Sequence, residues 1–175
     1  MSRTTFIRIC AVSAILGGML RAISSFIPYT TSRIFVLYFV IDLLLLLAVT
    51  GLLRAKVGAG VLGNLGGVLM LLALAFLIAR DIEVAPASVY AAGAALFSLG
   101  LDLFAIQVLR NRRLPSWISF AWILSTIVGS IGFFVPRFNF LFAISGLIFG
   151  LAFAAAGVAI WSLSSNAHSN SRVQL

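Results

Sequence analysis

Four polar residues lie inside long apolar segments of this chain, and their side chains are the ones that could do chemistry. They are Arg21, Asp42, Asn64 and Asp102. A charged group at the centre of a bilayer costs between about 3 and 10 kcal/mol, so a residue of this kind usually has a partner or a function. Such residues often mark ligand or ion pathways, and the rival interpretation is that they form structural pairs that fix helix register.

Arg21 and Asp42 are predicted to lie at similar depths in two neighbouring helices. At about 1.5 Å of rise per residue, Arg21 lies about 9 Å and Asp42 about 12 Å from the same membrane edge, so the two can form an ion pair. Tyr38 precedes Asp42 by one turn on the same helical face, where its hydroxyl can reach the carboxylate. The three residues predict an outward-facing polar pocket or, alternatively, a structural pair.

Asn64 and Asp102 form the second candidate set, nearer the opposite membrane edge. Each lies seven residues from a predicted helix end, which places both at about 10 Å depth. They are expected either to lie on a path that leads to the cytoplasm or to pair with each other structurally.

The residue types that are scarce in this chain argue against catalysis and against metal binding. His168 is the single histidine and Cys10 the single cysteine, so no histidine-based zinc site, histidine-dependent nucleophile or paired-cysteine redox centre can be assembled. Asp42 and Asp102 are expected in opposite halves of the membrane, which disfavours a two-aspartate hydrolase. The sequence predicts no enzyme, no cofactor and no metal.

The composition shows which solvent surrounds these residues. Hydrophobic residues make up 62% of the chain and charged residues 9%, with a mean hydropathy of +1.18, whereas a soluble domain carries roughly 25% charged residues. Lipid must therefore cover most of the surface. The net charge of +8 is spread over short loops, which favours contact with anionic lipid headgroups and argues against nucleic acid.

Six apolar segments have the length of about 20 residues that a membrane-spanning helix requires. They predict an all-α integral membrane protein with six helices in a compact bundle, followed by a disordered cytoplasmic tail. The predicted helices cover 5–27, 34–53, 57–79, 86–109, 115–135 and 138–163, and the tail covers 164–175.

The basic residues divide unequally between the two sides of these helices. Eight lie on the side of the N-terminus and three on the other side. The positive-inside rule then places both termini in the cytoplasm. The membrane is expected to be the plasma membrane or the inner membrane of the cell. The eight are Arg3, Arg8, Arg54, Lys56, Arg110, Arg112, Arg113 and Arg172, and the three are Arg33, Arg80 and Arg137.

Small residues at four-residue spacing predict close contacts between helices. The main residues with this spacing are Ala14, Gly18, Gly63, Gly67, Gly146 and Gly150. We expect them to pack the bundle internally, and the alternative is that one row faces a membrane-protein partner or a second copy of the chain. Recurring glycines, prolines and aspartates also allow three hairpin repeats, for which chance similarity is a fair rival.

Two functions of different classes remain open on the sequence. The first is a small transporter or solute-binding membrane subunit, which would use the intramembrane charges. Size and helix count are similar to those of the substrate-capturing subunits of multi-component vitamin importers, a likeness of architecture only. The second is a non-catalytic structural or accessory protein that packs against a membrane partner through its small residues.

Overall fold

Six α-helices of membrane-spanning length make up the protein in this computed structural model, which describes residues 2–27, 34–82 and 88–172 and the side chains of all of these except 88 and 165–172. A short 3-10 turn at Pro136–Phe138 precedes the last helix. The helices are α1 Arg3–Ser24, α2 Ile34–Arg54, α3 Val61–Asp81, α4 Ser88–Asn111, α5 Ser116–Phe134 and α6 Leu141–Arg172.

The helices form a closed ring in which each one packs against the next along the chain and α6 returns to α1. Neighbours run antiparallel. For example, the Arg3 guanidinium at the start of α1 donates to the carbonyl of Arg54 at the end of α2, at 3.1 Å. Six alternating helices place the first and last described residues at one end of the ring. We call this the terminal end and the opposite one the distal end.

Two glycine pairs bring helix backbones together. An added Cβ on Gly18 of α1 would meet the carbonyl oxygen of Gly150 on α6, and an added Cβ on Gly66 of α3 would meet the carbonyl oxygen of Gly100 on α4. Lipid offers little hydrophobic force between helices, so close backbone contact of this kind supplies much of their attraction. The α1–α6 and α3–α4 contacts are accordingly the most extensive in the ring.

The predicted small-residue positions all lie in contacts within the chain. Ala14 packs against Gly157 and Gly146 against Ser25, while Gly67 faces Leu53 and Gly63 faces the turn at Gly58. The predicted hairpins are α1 with α2, α3 with α4, and α5 with α6. The most extensive contacts join α3 to α4 and α1 to α6, and of these two pairs only α3 with α4 is a predicted hairpin. Helix packing thus gives no support to three equal hairpin repeats.

Apolar side chains occupy both the inside and the outside of the ring. Phe104, Trp122 and Phe153 are completely buried in its centre, with the Trp122 and Phe153 ring centroids 5.2 Å apart. On the outside, Val36 is 66% exposed and Val68 53% exposed. A surface as apolar as the core is stable only in lipid, so the helix faces that point outward contact the bilayer.

The predicted and observed helix boundaries differ most at the start of α3 and at the end of α6. α3 begins at Val61 and not at 57, because Gly60 has φ +141°, a backbone conformation that side chains other than glycine rarely adopt. The side-chain amide of Asn111 holds this turn through bonds to the carbonyls of Val57 at 3.1 Å and Ala59 at 2.9 Å. α6 extends to Arg172, through most of the predicted disordered tail, because 164–172 contains neither glycine nor proline to stop it.

Candidate functional site

A cavity of about 530 Å³ lies at the distal end of the ring. The end of α1 and the starts of α2, α4 and α6 contribute to it, so its wall comes from helices on several sides of the ring. The polar residues among its lining are Arg21, Ser25, Tyr38, Tyr90 and Asn139, and the apolar ones are Ile27, Phe140, Phe142 and Ala143. The segments 28–33 and 83–87, which join helices at this end, lie outside the described residues.

Arg21 and Tyr38 interact closely in the wall of this cavity. The Arg21 guanidinium donates a hydrogen bond of 3.2 Å to the Tyr38 hydroxyl, and its central carbon lies 5.3 Å from the centroid of the Tyr38 ring. Both a hydrogen bond and a cation–π contact therefore hold the cation in place, and these contacts strengthen where water is excluded. Tyr38 is buried and fixes where the positive charge sits.

Two serines fix the end of α1 on which Arg21 lies. The hydroxyls of Ser24 and Ser25 both donate to the carbonyl oxygen of Arg21, at 3.0 and 2.8 Å. The backbone amide of Ser25 donates to the same oxygen at 3.2 Å. The last helical turn thereby satisfies a carbonyl that would otherwise be left without a donor in the membrane, and Arg21 is presented from a rigid backbone.

Asp42 is buried one helical turn deeper than Tyr38 and interacts with a second carboxyl group. Its side chain is within hydrogen-bonding reach of Asp81 at the end of α3, and the Arg21 charge acts on it through space. Asp42 is not among the described residues that line the cavity. Arg21 and Asp42 are therefore electrostatic neighbours, and Arg21 donates a hydrogen bond to Tyr38.

Asp81 is the functional candidate that the sequence did not reveal. It follows Arg80 in a run of charged residues that resembles a loop, and the predicted helix ended at 79. The structure continues α3 to Asp81, and the Arg80 guanidinium lies 4.6 Å from the centroid of the Phe35 ring on α2. This contact joins the distal ends of α2 and α3 and brings Asp81 to Asp42.

Packed aromatic rings lie deeper in the ring of helices than the cavity. Phe97 of α4 and Phe149 of α6 meet edge to face with centroids 5.7 Å apart. Phe149 in turn contacts Phe153 at 4.7 Å. Both α4 and α6 supply cavity residues nearer the distal end, so these rings lie between the cavity and the terminal end. The rim consists of exposed residues such as Asn139 and Phe140, so the cavity opens toward the distal side.

Asp102 and Asn64 are not brought together. Asp102 is half-buried near the middle of α4, and its carboxylate interacts with the Thr126 hydroxyl on α5. Asn64 is exposed in the first turn of α3, because that helix starts four residues later than predicted. Asn64 therefore lies one turn closer to the start of its helix than the sequence predicted, and neither residue is among those that line the distal cavity.

A second, mostly apolar depression of about 350 Å³ lies at the terminal end between α1 and α6. The Arg8 guanidinium there lies 5.4 Å from the Trp161 ring centroid. An arginine and a tryptophan close to helix ends are typical anchors at the membrane–water interface. We therefore assign this place to bilayer contact rather than to a solute.

The chemistry available at the distal cavity is that of binding. It combines a fixed guanidinium, two phenol groups, a hydroxyl and an amide with aromatic and aliphatic walls. Among the described residues, no group of three or more histidine, cysteine, aspartate or glutamate side chains could hold a metal ion. The chain matches no family model, no curated protein and no solved structure.

Proposed function

We propose that this membrane protein binds a small solute in the distal cavity, as a small transporter or as the solute-binding subunit of a transport system. The proposed role is non-catalytic. The observation that carries it is the cavity itself, in whose wall the Arg21 cation is held against Tyr38. An intramembrane charge that faces a cavity is a common mark of a substrate site.

The dimensions and the composition of the cavity support this proposal. Small-molecule sites measure about 300–1,000 Å³ and combine apolar walls with a few converging polar groups. The cavity of about 530 Å³ has both properties. Packed aromatic rings lie between it and the terminal end, so a solute would enter and leave through the distal side in the conformation described here.

The orientation of the chain adds a direction to the proposal. The described basic residues are concentrated at the terminal end. The positive-inside rule therefore places this end on the cytoplasmic side of a plasma or inner membrane. The cavity would then face away from the cytoplasm. A protein in this orientation would capture its solute from outside the cell or from the periplasm.

The rival function, an accessory protein that packs against a membrane partner, loses its main sequence feature in the structure. The small residues that suggested a docking row are already used between helices of the same chain. Exposed apolar residues occur on α1 to α6 alike, which is what lipid contact alone requires. No helix face among the described residues is distinguished as a partner surface.

Thermal unfolding of the purified protein in detergent, measured against a panel of small solutes, tests the proposal. We expect specific members of the panel to raise the unfolding temperature, as a ligand that binds only the folded state must. Arg21→Gln should abolish this rise. Arg8→Gln should preserve it, because Arg8 lies at the terminal end, away from the cavity. Co-purification with another membrane protein at fixed stoichiometry, with no response to any solute, would favour the accessory role.

A further inference from the structure

We propose that the depression between α1 and α6 at the terminal end binds one anionic phospholipid, whose phosphate contacts Arg8. We call this place the terminal depression. Its described lining residues are Thr5, Arg8, Ile9, Val12, Ser13 and Trp161. It lies at the opposite end of the ring from the distal cavity, so the proposal goes beyond solute binding and does not depend on it.

The lining residues of α1 form one stripe that runs from the start of the helix into the membrane. They are spaced three and four residues apart, which places them on the same helical face. Thr5 and Arg8 lie in the first two turns, and Ile9 and Val12 follow deeper. Helical side chains tilt toward the N-terminus of their helix, so the Arg8 guanidinium is directed to the level of the headgroups. Polar groups therefore precede apolar ones, in the order in which a phospholipid presents its own.

The apolar part of this stripe is open to lipid. Ile9 is 45% exposed and Val12 40%, and one turn deeper Leu16 is 51% exposed. On α6, Val158 and Trp161 are exposed as well. Buried side chains fill the inside of the ring, so these exposed residues lie on its outer surface. An acyl chain can lie along them below a headgroup that is held at Arg8.

Arg8 supplies the positive charge that an anionic headgroup requires. Its Nε is buried and has no hydrogen-bond partner among the described residues, and the guanidinium lies 5.4 Å from the centroid of the Trp161 ring. No acidic residue is among the described residues that line the depression. A guanidinium can donate two parallel N–H groups to two phosphate oxygens, so a lipid phosphate suits this position.

The described acidic residues lie elsewhere in the ring. Asp42 and Asp81 are at the distal end, and the carboxylate of Asp102 on α4 interacts with Thr126 on α5. α1 packs mainly against α2 and α6. In the part of the chain that the structure describes, no carboxylate therefore neutralises Arg8, and the surrounding membrane is the nearest source of an anion.

The other charges at the terminal end favour an anionic headgroup over a zwitterionic one. Arg3 and Arg54 lie at this end, where the Arg3 guanidinium donates to the Arg54 carbonyl. A choline or ethanolamine headgroup carries an ammonium group that such cations repel, whereas the glycerol headgroup of phosphatidylglycerol carries none. One basic residue near an anionic lipid strengthens binding by about fivefold, so phosphatidylglycerol should occupy the site in preference to phosphatidylcholine.

Tryptophan fluorescence in vesicles tests the proposal, because Trp161 lies in the depression itself. Trp117 is 55% exposed, and Trp122 is completely buried. Trp117→Phe therefore leaves Trp161 as the tryptophan in contact with lipid. Bromine atoms on acyl chains quench a tryptophan that they touch. The full chain with Trp117→Phe is reconstituted in mixtures of phosphatidylglycerol and phosphatidylcholine in which only one of the two lipids is brominated.

We expect phosphatidylglycerol to occupy the place beside Trp161 at least about fivefold more readily than phosphatidylcholine. Arg8→Gln should reduce this ratio to about one. Arg113→Gln is the matched control and should preserve it, because it removes the same charge from an exposed position at the same end, outside the depression. An equal loss in both variants would show that the general surface charge attracts the lipid, and it would overturn the site, as would a ratio near one before Arg8 is changed.

Two further measurements test the kind of contact and the kind of ligand. Arg8→Lys keeps the charge but loses the planar fork, so the ratio should fall by about twofold or more. This variant also serves if Arg8→Gln does not fold, and an unchanged ratio would contradict the phosphate contact. Soluble glycerol phosphate should leave the quenching unchanged. If it abolishes the preference for phosphatidylglycerol, a water-soluble phosphate occupies the depression and the lipid assignment is wrong.

Discussion

The carboxyl groups of Asp42 on α2 and Asp81 on α3 face each other at the distal end of a ring of membrane helices. Two carboxyl groups at hydrogen-bonding range hold one proton between them, and the protonated group donates to the other. We therefore expect Asp81→Asn, whose amide can also donate to Asp42, to change stability at neutral pH by less than about 1 kcal/mol. Thermal unfolding in detergent measures this change.

Asp81→Ala is the matched variant for this pair. It removes the hydrogen-bonding group that faces Asp42, so its stability should fall below that of Asp81→Asn by about 1–3 kcal/mol. Adding Asp42→Ala to Asp81→Ala should cost less than Asp42→Ala alone, because the contact between the two side chains is already lost. Fully additive losses from the two substitutions would show that the side chains do not interact.

The Asp42–Asp81 pair also shows where inference from the sequence stops. Hydropathy predicted all six helices, because a membrane span requires a long apolar run whatever its tertiary partners are. The depth estimate predicted an Arg21–Asp42 pair with Tyr38 beside the carboxylate, whereas Arg21 donates to Tyr38 and Asp42 lies beside Asp81. Asp81 was missed because a charged run after an apolar segment has the composition of a loop, and only the packing of Arg80 on Phe35 extends the helix.

The other walls of the cavity could not be predicted either. Tyr90 and Asn139 are distant from Arg21 in the sequence and reach the same cavity because α6 packs against α1 and closes the ring. That closure depends on which glycines face each other, such as Gly18 and Gly150, and spacing alone does not reveal this. Asn64 lies closer to the start of its helix than predicted because the backbone at Gly60, and not hydropathy, determines where α3 begins.

Close packing of α1 on α6 should make Gly18 intolerant of any side chain. A Cβ added there would overlap the backbone of Gly150 and Ala154, so Gly18→Ala should destabilise the protein by about 1–3 kcal/mol. Gly93→Ala is the control, because its Cβ would meet mainly the flexible end of Leu77 at 3.2 Å. We expect that change to be neutral or stabilising by up to about 1 kcal/mol, since alanine favours helix. Equal effects of the two substitutions would contradict the backbone contact.

The Arg21–Tyr38 contact should appear as a measurable coupling. Tyr38→Phe removes the hydroxyl that accepts the 3.2 Å hydrogen bond and keeps the ring beneath the guanidinium. A double-mutant cycle of Tyr38→Phe with Arg21→Gln should give about 0.5–1.5 kcal/mol, the range of hydrogen bonds between membrane helices. A cycle of Tyr38→Phe with Arg8→Gln, at the opposite end, should give none. Coupling of equal size in both cycles would mean that Tyr38 acts through general destabilisation.

Asn111 should matter for stability and Asn64 should not. The Asn111 amide donates to two carbonyls of the turn between α2 and α3, and these acceptors would lose their donors in Asn111→Ala. We expect a loss of about 1–3 kcal/mol. Asn64→Ala, at an exposed position, should change stability by less than about 0.5 kcal/mol. A large effect of Asn64→Ala would indicate a contact that lies outside this single chain.

The distribution of basic residues gives a prediction for orientation that can be tested in intact cells. Arg113 is exposed beyond α4 at the terminal end, and Arg137 is exposed in the 3-10 turn at the distal end. In a Cys10→Ala background, Arg137→Cys should react with a thiol reagent that does not cross the membrane. Arg113→Cys should react only after the cells are opened, because the positive-inside rule places that end in the cytoplasm.

The opposite labelling pattern would turn the cavity toward the cytoplasm and reverse the proposed direction of capture. It would leave the binding chemistry of Arg21 unchanged, because that chemistry depends on the contact with Tyr38 and not on the sidedness of the membrane. Labelling of both positions in intact cells would indicate two orientations. In that case each orientation should bind solute only from the side that its distal end faces.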